Sequence, residues 1–149
     1  MKTYKSCLPE ITLKLKKSET LNVKIRNSAD TVNVFRQIWD KDSLDIYESV
    51  ICIFLNRANN TIGWFKVSQG GLCGTVVDNK LILSTGLKCL ASNIIIAHNH
   101  PSGNTQPSES DINITKKLKQ ASDVVEINLL DHIIITSDGY YSMADEGML

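Results

Sequence analysis

The stretch "IIAHNHPSGNTQPSESD", Ile95 to Asp111, runs from an apolar segment through turn-forming residues into a Ser-x-x-acid pattern. With the residues before it, "NIIIAH" reads as a short strand apolar on both faces. "PSGNTQP" reads as a reversing loop, and Ser108 as the start of a helix to about Ser122, with Ile112, Ile114 and Leu118 among its apolar positions. A strand without a polar face must be covered on both sides, so this segment predicts helices layered on a sheet.

Working outward, Asp78 caps a helix over about Asn79 to Ala91, after bends at Gly70, Gly71 and Gly74. "IYESVICIFLN", Ile46 to Asn56, is apolar on both faces beyond Ser49 and predicts a central buried strand; "RANN" turns it into a partner at about Thr61 to Val67. Ser28 is the expected N-cap of a helix to about Trp39, with Val32, Val34, Phe35, Ile38 and Trp39 on its apolar side. A loop over Lys41 to Asp45 follows. At the N-terminus, "ITLKLK" (Ile11 to Lys16) and "LNVKI" (Leu21 to Ile25) alternate apolar and polar residues and predict an edge hairpin. At the other end, "VEINLLDHIIITSDGYYSM" holds one or two strands with "SDG" as a turn. Helices and strands interleave in a single mixed sheet of an α/β fold, without internal repeat or linker.

A chain of 149 residues suits one domain with a substantial core. The expectation is one domain over 1–149, its motif-bearing part at about 45–142 and residues 1–44 adding the hairpin and first helix. The composition, 42% hydrophobic and 21% charged, is that of a globular protein and argues against general disorder. Apolar runs such as Val50 to Leu55 fall far short of the roughly 20 residues of a membrane span, and "MKTYKSCLPE" lacks a secretory apolar core. The expected location is the cytoplasm, away from membranes. Cys7, Cys52, Cys73 and Cys89 form no CxxC pair, which argues against a cysteine zinc site or a disulfide framework. Net charge is zero but uneven: residues 1–26 carry seven basic groups against two acidic, and 108–149 three against eight. Solvated surface accounts for that polarity; a nucleic-acid footprint is the alternative.

Residues two apart on a strand share a face, about 6.6 Å apart, so His98 and His100 can aim both rings at one point. Zinc accepts imidazole nitrogen at about 2.0–2.1 Å and prefers four ligands. A bare HxH equally fits one ring bonded to a carbonyl and the other in water. "SESD" adds Ser108 and Asp111, by themselves a helix capping box. If the loop doubles back, Asp111 becomes a third ligand, and the helix N-terminus favours the ionised carboxylate that ligation requires. Two histidines and one aspartate leave a fourth position open, as in catalytic rather than structural zinc sites.

Carboxylates available as a general base are Asp42, Asp45, Glu48, Glu109 and Asp131. Glu48, at the start of the buried strand and on the face of Val50 and Cys52, is the strongest, since burial there would raise its pKa toward the useful range. His132, in "LDHII", is left out of the ligand set; orienting a nearby loop together with Asp131, or satisfying a core hydrogen bond, is its expected role. Other metal motifs are absent. A metallo-β-lactamase pattern needs an acid and a histidine where the chain has Ser102 and Gly103; zincins need HExxH and nucleobase deaminases PCxxC.

Glu48, His98-Asn99-His100, seven residues, Ser108, two residues and Asp111 together resemble the JAMM metallohydrolase motif of the JAB/MPN superfamily. Within it, "AHNHPSG", "PSESDINIT" and "LLDHIII" resemble the family like the DNA repair protein RadC, over about Asp45 to Ser142. The resemblance implies a deaminase-like, three-layer α/β/α sandwich around a mixed sheet. It implies Zn2+ held by His98, His100 and Asp111, Glu48 as the base, and Ser108 hydrogen-bonded to the water or the developing oxyanion. The activity it implies is hydrolysis of a peptide or isopeptide bond in a peptide or protein substrate. Two features depart from the RadC-like pattern: residues 1–45 contain nothing resembling a helix-hairpin-helix segment, and "TVVDNKLILSTGL" lacks a His-Pro-Arg lead-in. The alternatives to a hydrolase are a DNA-associated accessory domain with a non-catalytic zinc site, using Lys14, Lys16, Lys17 and Lys24, and a module pairing a peptide with an exposed strand.

Overall fold

The computed structural model describes residues 22–70 and 76–149. In chain order these hold α1 (Ser28–Ile38), β1 (Ser49–Leu55), β2 (Thr61–Gln69), α2 (Asn79–Lys88), β3 (Asn93–Asn99), α3 (Glu109–Val124), β4 (Asn128–Ile135) and β5 (Tyr140–Ser142). The five strands form one sheet in the order β2-β1-β3-β4-β5. β3 and β4 run parallel, joined by the α3 crossover, and the other pairs are antiparallel.

Every residue of β1 and β3 is buried, because the sheet is covered twice. On one face, Val32, Phe35 and Trp39 of the α1 region pack on Ile51, Ile53, Ile95 and Ile133. On the other, Ile82 of α2 and Leu118 of α3 pack on Cys52, Phe54, Ile94 and Ile96. Each such aliphatic side chain contributes about 1.5–3 kcal/mol by leaving water. The result is an α/β/α sandwich around a mixed sheet. α2 lies close to the sheet at Gly86, where a Cβ would stand 3.1 Å from Ile127 and 3.5 Å from Phe54. Among the described residues, no helix is long and apolar enough to cross a membrane.

Several boundaries differ from the sequence reading, each for a local reason. The N-cap of α1 is Asn27 rather than Ser28: the Asn27 side chain accepts from the Asp30 N–H at 2.8 Å, while the Ser28 hydroxyl donates to Asp145. β1 begins at Ser49 rather than Ile46, since residues 41–46 turn and leave Ile46 and Tyr47 exposed. α2 stops at Lys88 rather than Ala91. There Leu90 adopts a left-handed φ of 57° and the Ala91 N–H returns to the Gly86 carbonyl at 2.9 Å, a Schellman-like closure. The β1–β2 turn is held by Asn56, whose side chain accepts from the N–H groups of Ala58 and Asn60 at 2.9 and 3.0 Å. The expected hairpin of Ile11–Lys16 with Leu21–Ile25 lies, through Leu21, outside the described residues; of its remainder, Lys24 makes an isolated antiparallel bridge to Asn60. Gly71, Gly74, Cys7 and Cys73 also lie outside them, and Cys52 and Cys89 are free thiols.

Candidate metal centre

The site forms where β3 ends. His98 is the penultimate residue of β3, on the same face as Ile94 and Ile96, and is 2% exposed. His100 follows one residue beyond the strand, its N–H donating to the Ile135 carbonyl of β4 at 3.1 Å. The loop then turns sharply: the Gly103 N–H returns to the His100 carbonyl at 3.0 Å, and Gly103 takes φ +80°, which a side chain would strain. The chain thereby comes back to Ser108, the N-cap of α3.

The capping box predicted at Ser108 is present, and its acid faces the histidines. Ser108 Oγ accepts from the Asp111 N–H at 3.1 Å, while Asp111 Oδ2 accepts from the Ser108 N–H and hydroxyl, both at 2.7 Å. Asp111 Oδ1 lies 3.3 Å from His98 Nε2 and Oδ2 lies 3.6 Å from His100 Nε2. The two Nε2 atoms are 2.9 Å apart. Ligands placed at zinc distances around a tetrahedron stand about 3.3 Å from one another, so the separations of 2.9, 3.3 and 3.6 Å fit one small cation.

The donor chemistry agrees with the geometry. His100 Nδ1 lies 2.6 Å from the Asn104 carbonyl, which can only accept, so Nδ1 carries the proton and Nε2 points a lone pair inward. His98, His100 and Asp111 are the one group of three potential ligands that converges among the described residues. With no cation present, hydrogen bonding to Asp111 raises the pKa of His100, against the opposing effect of burial. Burial alone would raise the Asp111 carboxyl, but the His100 and His98 rings beside it and the Ser108 hydroxyl hold it well below the usual carboxylate range.

Glu48 reaches the site through strand register. β1 and β3 pair antiparallel with Val50 opposite His98, so two residues back along β1 lies opposite two residues forward along β3, which brings Glu48 to His100. A cavity of about 290 Å³ is lined by Glu48, His98, His100, Ser108 and Asp111, among others. It adjoins a hollow of about 380 Å³ lined by Glu48, His100, Ser108 and the Pro101–Pro107 loop. Glu48 precedes β1 and is half-buried rather than buried with the strand. Asp42, Asp45, Glu109 and Asp131 line neither space. A larger hollow of about 660 Å³ lies on the α1 side, beside Arg36 and Trp39, where the Arg36 guanidinium is committed to the carbonyls of Thr136 and Gly139.

Of three supporting residues, Asn99 and Thr115 were not singled out by the sequence pattern, and His132 was expected only to orient a loop or satisfy a core hydrogen bond. Asn99, wholly buried between the two histidines, accepts from the Ser49 N–H at 2.7 Å and donates to the carbonyls of Leu44 and Tyr47 at 2.6 and 2.8 Å. It thus grips the backbone on both sides of Glu48. A polar residue between two strand histidines is the signal that could have found it. The other two are His132 and Thr115. His132 Nε2 lies 2.7 Å from His98 Nδ1, and His132 Nδ1 lies 2.5 Å from Thr115 Oγ1. Burial pushes the His132 imidazole well below its ordinary pKa and keeps it neutral. Asp131 does not share this role, for it leaves β4 on the opposite face, toward Ser142 and Ala144.

Comparison with known proteins agrees with this arrangement. The family model described as the RadC-like JAB domain matches residues 25–148. The chain is similar to a UPF0758 protein of Flavobacterium johnsoniae, 40% identical over 125 residues, covering 84% of this chain and 53% of the relative. A UPF0758 protein of Porphyromonas gingivalis is 43% identical over 103 residues, covering 68% of this chain and 45% of the relative. That of Aquifex aeolicus is 35% identical over 127 residues, covering 85% and 53% respectively. The chain spans about half the length of these curated relatives. With the match running from Ile25 through the whole sheet and the His98–His100–Asp111 cluster, the chain belongs to the RadC-like JAB domain family.

Proposed function

We propose that the chain is a zinc-dependent hydrolase of JAMM type that cleaves an amide bond, in a peptide or an isopeptide linkage. The observation that carries this reading is the convergence of His98 Nε2, His100 Nε2 and the Asp111 carboxylate at 2.9–3.6 Å, beside a cavity that Glu48 also lines. His98, His100 and Asp111 would hold the ion, which when bound supplies Lewis acidity and lowers the pKa of water toward about 7. Glu48, in the same cavity, accepts the proton of the attacking water and delivers it to the leaving amine. On turning from Asp111 Oδ2, which keeps the Ser108 N–H, the Ser108 hydroxyl in that cavity offers a donor to the oxyanion that develops on the carbonyl oxygen. The cavity shares Glu48, His100 and Ser108 with the hollow lined by the Pro101–Pro107 loop, which offers room beside the ligands for a substrate.

The test compares wild type with Glu48→Gln. Elemental analysis of protein purified without added metal should find about one zinc per chain in both, or restore it on adding zinc. A peptide and isopeptide library should be cleaved by the zinc-loaded wild type alone. Metal content well below one per chain that added zinc does not restore overturns the reading, as does equal cleavage by Glu48→Gln. The DNA-linked alternative rests on Lys14, Lys16 and Lys17, outside the described residues, and on Lys24; salt-dependent DNA retention lost on neutralising them would favour it.

A further inference from the structure

The structure assigns to His132 and Thr115 the task of fixing the tautomer of His98, so that the lone pair of Nε2, and not a proton, faces the metal position. The assignment rests on the reading of His98, His100 and Asp111 as ligands and adds the residues that orient the first of them. Because β3 and β4 are parallel with Ile96 beside His132 and His98 beside Ile134, the two imidazoles rise from the same face of adjacent strands. His98 Nδ1 and His132 Nε2 are 2.7 Å apart, and one proton lies between them. Which nitrogen owns it is decided at the far end of the chain of bonds.

That end is Thr115, on the second turn of α3. Its hydroxyl has one proton and three neighbours: the Asp111 carbonyl at 2.6 Å, the Met143 sulfur at 3.5 Å and His132 Nδ1 at 2.5 Å. A carbonyl and a thioether can only accept. With the Thr115 proton donated to Asp111 O, its i−4 carbonyl at 2.6 Å, His132 Nδ1 is the donor to Thr115 Oγ1. A neutral imidazole protonated on Nδ1 accepts on Nε2, so His98 Nδ1 donates to His132. His98 Nε2 is then left with its lone pair, 3.3 Å from the Asp111 carboxylate. The path closes on itself: the backbone carbonyl of the third ligand sets the ring of the first. His100 reaches the same state more simply, through the Asn104 carbonyl of the loop. His98 lies inside the sheet, where ladder bonding occupies the backbone carbonyls, and a buried side-chain relay takes their place.

Removing such outer partners weakens metal binding by about 10- to 100-fold. His132→Leu fills the core without offering an acceptor, His132→Gln keeps an acceptor for His98 Nδ1, and Thr115→Val removes the anchor at nearly constant volume. Two readouts are taken on the full chain: zinc affinity by competition with a chelator, and the His98 tautomer from 15N shifts of the imidazoles in metal-free protein. Wild-type His98 should be the Nδ1–H form. His132→Leu should shift it toward Nε2–H and weaken zinc by about 10- to 100-fold. His132→Gln should stay within a few-fold of wild type although its polar side chain suits a purely apolar packing role worse than leucine. Thr115→Val should loosen both tautomers. The assignment is overturned if His98 is Nε2–H in wild type, or if leucine at 132 leaves tautomer and affinity unchanged. Should wild type bind no zinc while His98 responds to His132→Leu and Thr115→Val as stated, the relay stands and the metal reading falls. If His132→Leu does not fold, Thr115→Val decides by the tautomer alone.

Discussion

Asp131 and His132 are consecutive residues of β4, both buried, and they leave the sheet on opposite faces. On the α1 side, the Asp131 carboxylate accepts from the Ser142 hydroxyl at 2.6 Å, the Ala144 N–H at 3.0 Å and the His132 N–H at 2.7 Å. That network closes on itself and ties β5 and the tail to the sheet. On the α2/α3 side, the network through His132 runs to His98 and ends with two imidazole nitrogens and a carboxylate turned toward one another. The two faces show that burial of polar groups does not by itself mark a site. What sets the second network apart is that its last members, two imidazole nitrogens and a carboxylate, converge on one point where a cation could be held.

The largest expected effect breaks the two faces apart. His98→Ala or Asp111→Ala should abolish zinc binding, a loss beyond the about 10- to 100-fold that outer partners carry, while Asp131→Ala should keep the wild-type zinc content. In metal-free protein Asp111→Ala should cost only about 1 kcal/mol, the scale of a lost helix cap. Elemental analysis with chelator competition gives the first quantity and urea unfolding the second. Zinc lost equally in Asp131→Ala would erase the distinction between the faces.

The next effect is one of stability on the closed face. Asp131→Ala strands three donors that now point at one carboxylate. At about 1–3 kcal/mol for a buried polar group left unpaired, partly relieved by water, a loss of about 3 kcal/mol is expected. Urea midpoints of metal-free protein check it, and a loss no larger than that of Asp111→Ala would sink it.

How much of this contrast the sequence disclosed depends on distance along the chain. Local patterns were legible: the apolar runs of β1 and β3, the Asp78 and Ser108 caps, and the HxH and Ser-x-x-Asp spacings all lie within one element or one loop. The resemblance carried Glu48 to the site, but the reason it arrives there is the Val50–His98 register, which no local pattern encodes. The same holds for Thr115 and His132, seventeen residues apart in sequence and 2.5 Å apart in space. Helix caps one residue apart, such as Asn27 and Ser28, compete on equal chemistry, and the choice fell to Asp145, which takes the Ser28 hydroxyl. Asp131 and His132 were read as one unit because they are adjacent, whereas alternation along a strand puts neighbours on opposite faces.

Asn99 sharpens the comparison, for its closed network serves the open site. Asn99→Ala removes three neutral hydrogen bonds and should cost about 2 kcal/mol, less than the charged case of Asp131. Zinc affinity should stay within a few-fold, since His98, His100 and Asp111 are untouched. Cleavage should fall as it does in Glu48→Gln, because the backbone on either side of Glu48 is released. Loss of zinc with cleavage would show that Asn99 supports the ligands rather than the base.

The smallest effect is a pH slope that the Asp131 face should show and the Asp111 carboxylate should not. Burial raises the Asp131 carboxyl above its ordinary value and Asp145 adds to the rise, against hydrogen bonds from Ser142, Ala144 and His132 that lower it. The folded chain therefore holds that proton more tightly than the unfolded chain does. The resulting stability is fully present below the unfolded value of about 3.9 and is lost as pH rises through the folded one. Asp111 is the reverse: its carboxyl is held low, so its contribution is present above about 3.9 and is lost only as pH falls through a value far below. Between pH 4 and about 6, below the range in which His100 titrates, metal-free wild type should thus lose stability relative to Asp131→Asn, whose side chain cannot ionise, while Asp111→Asn shows a constant offset. Urea midpoints across that range measure both differences. A wild type that gains on Asp131→Asn with rising pH would mean that the three hydrogen bonds outweigh burial. Asp131 would then be a stabilised anion, and both faces would owe their carboxylates the same kind of support.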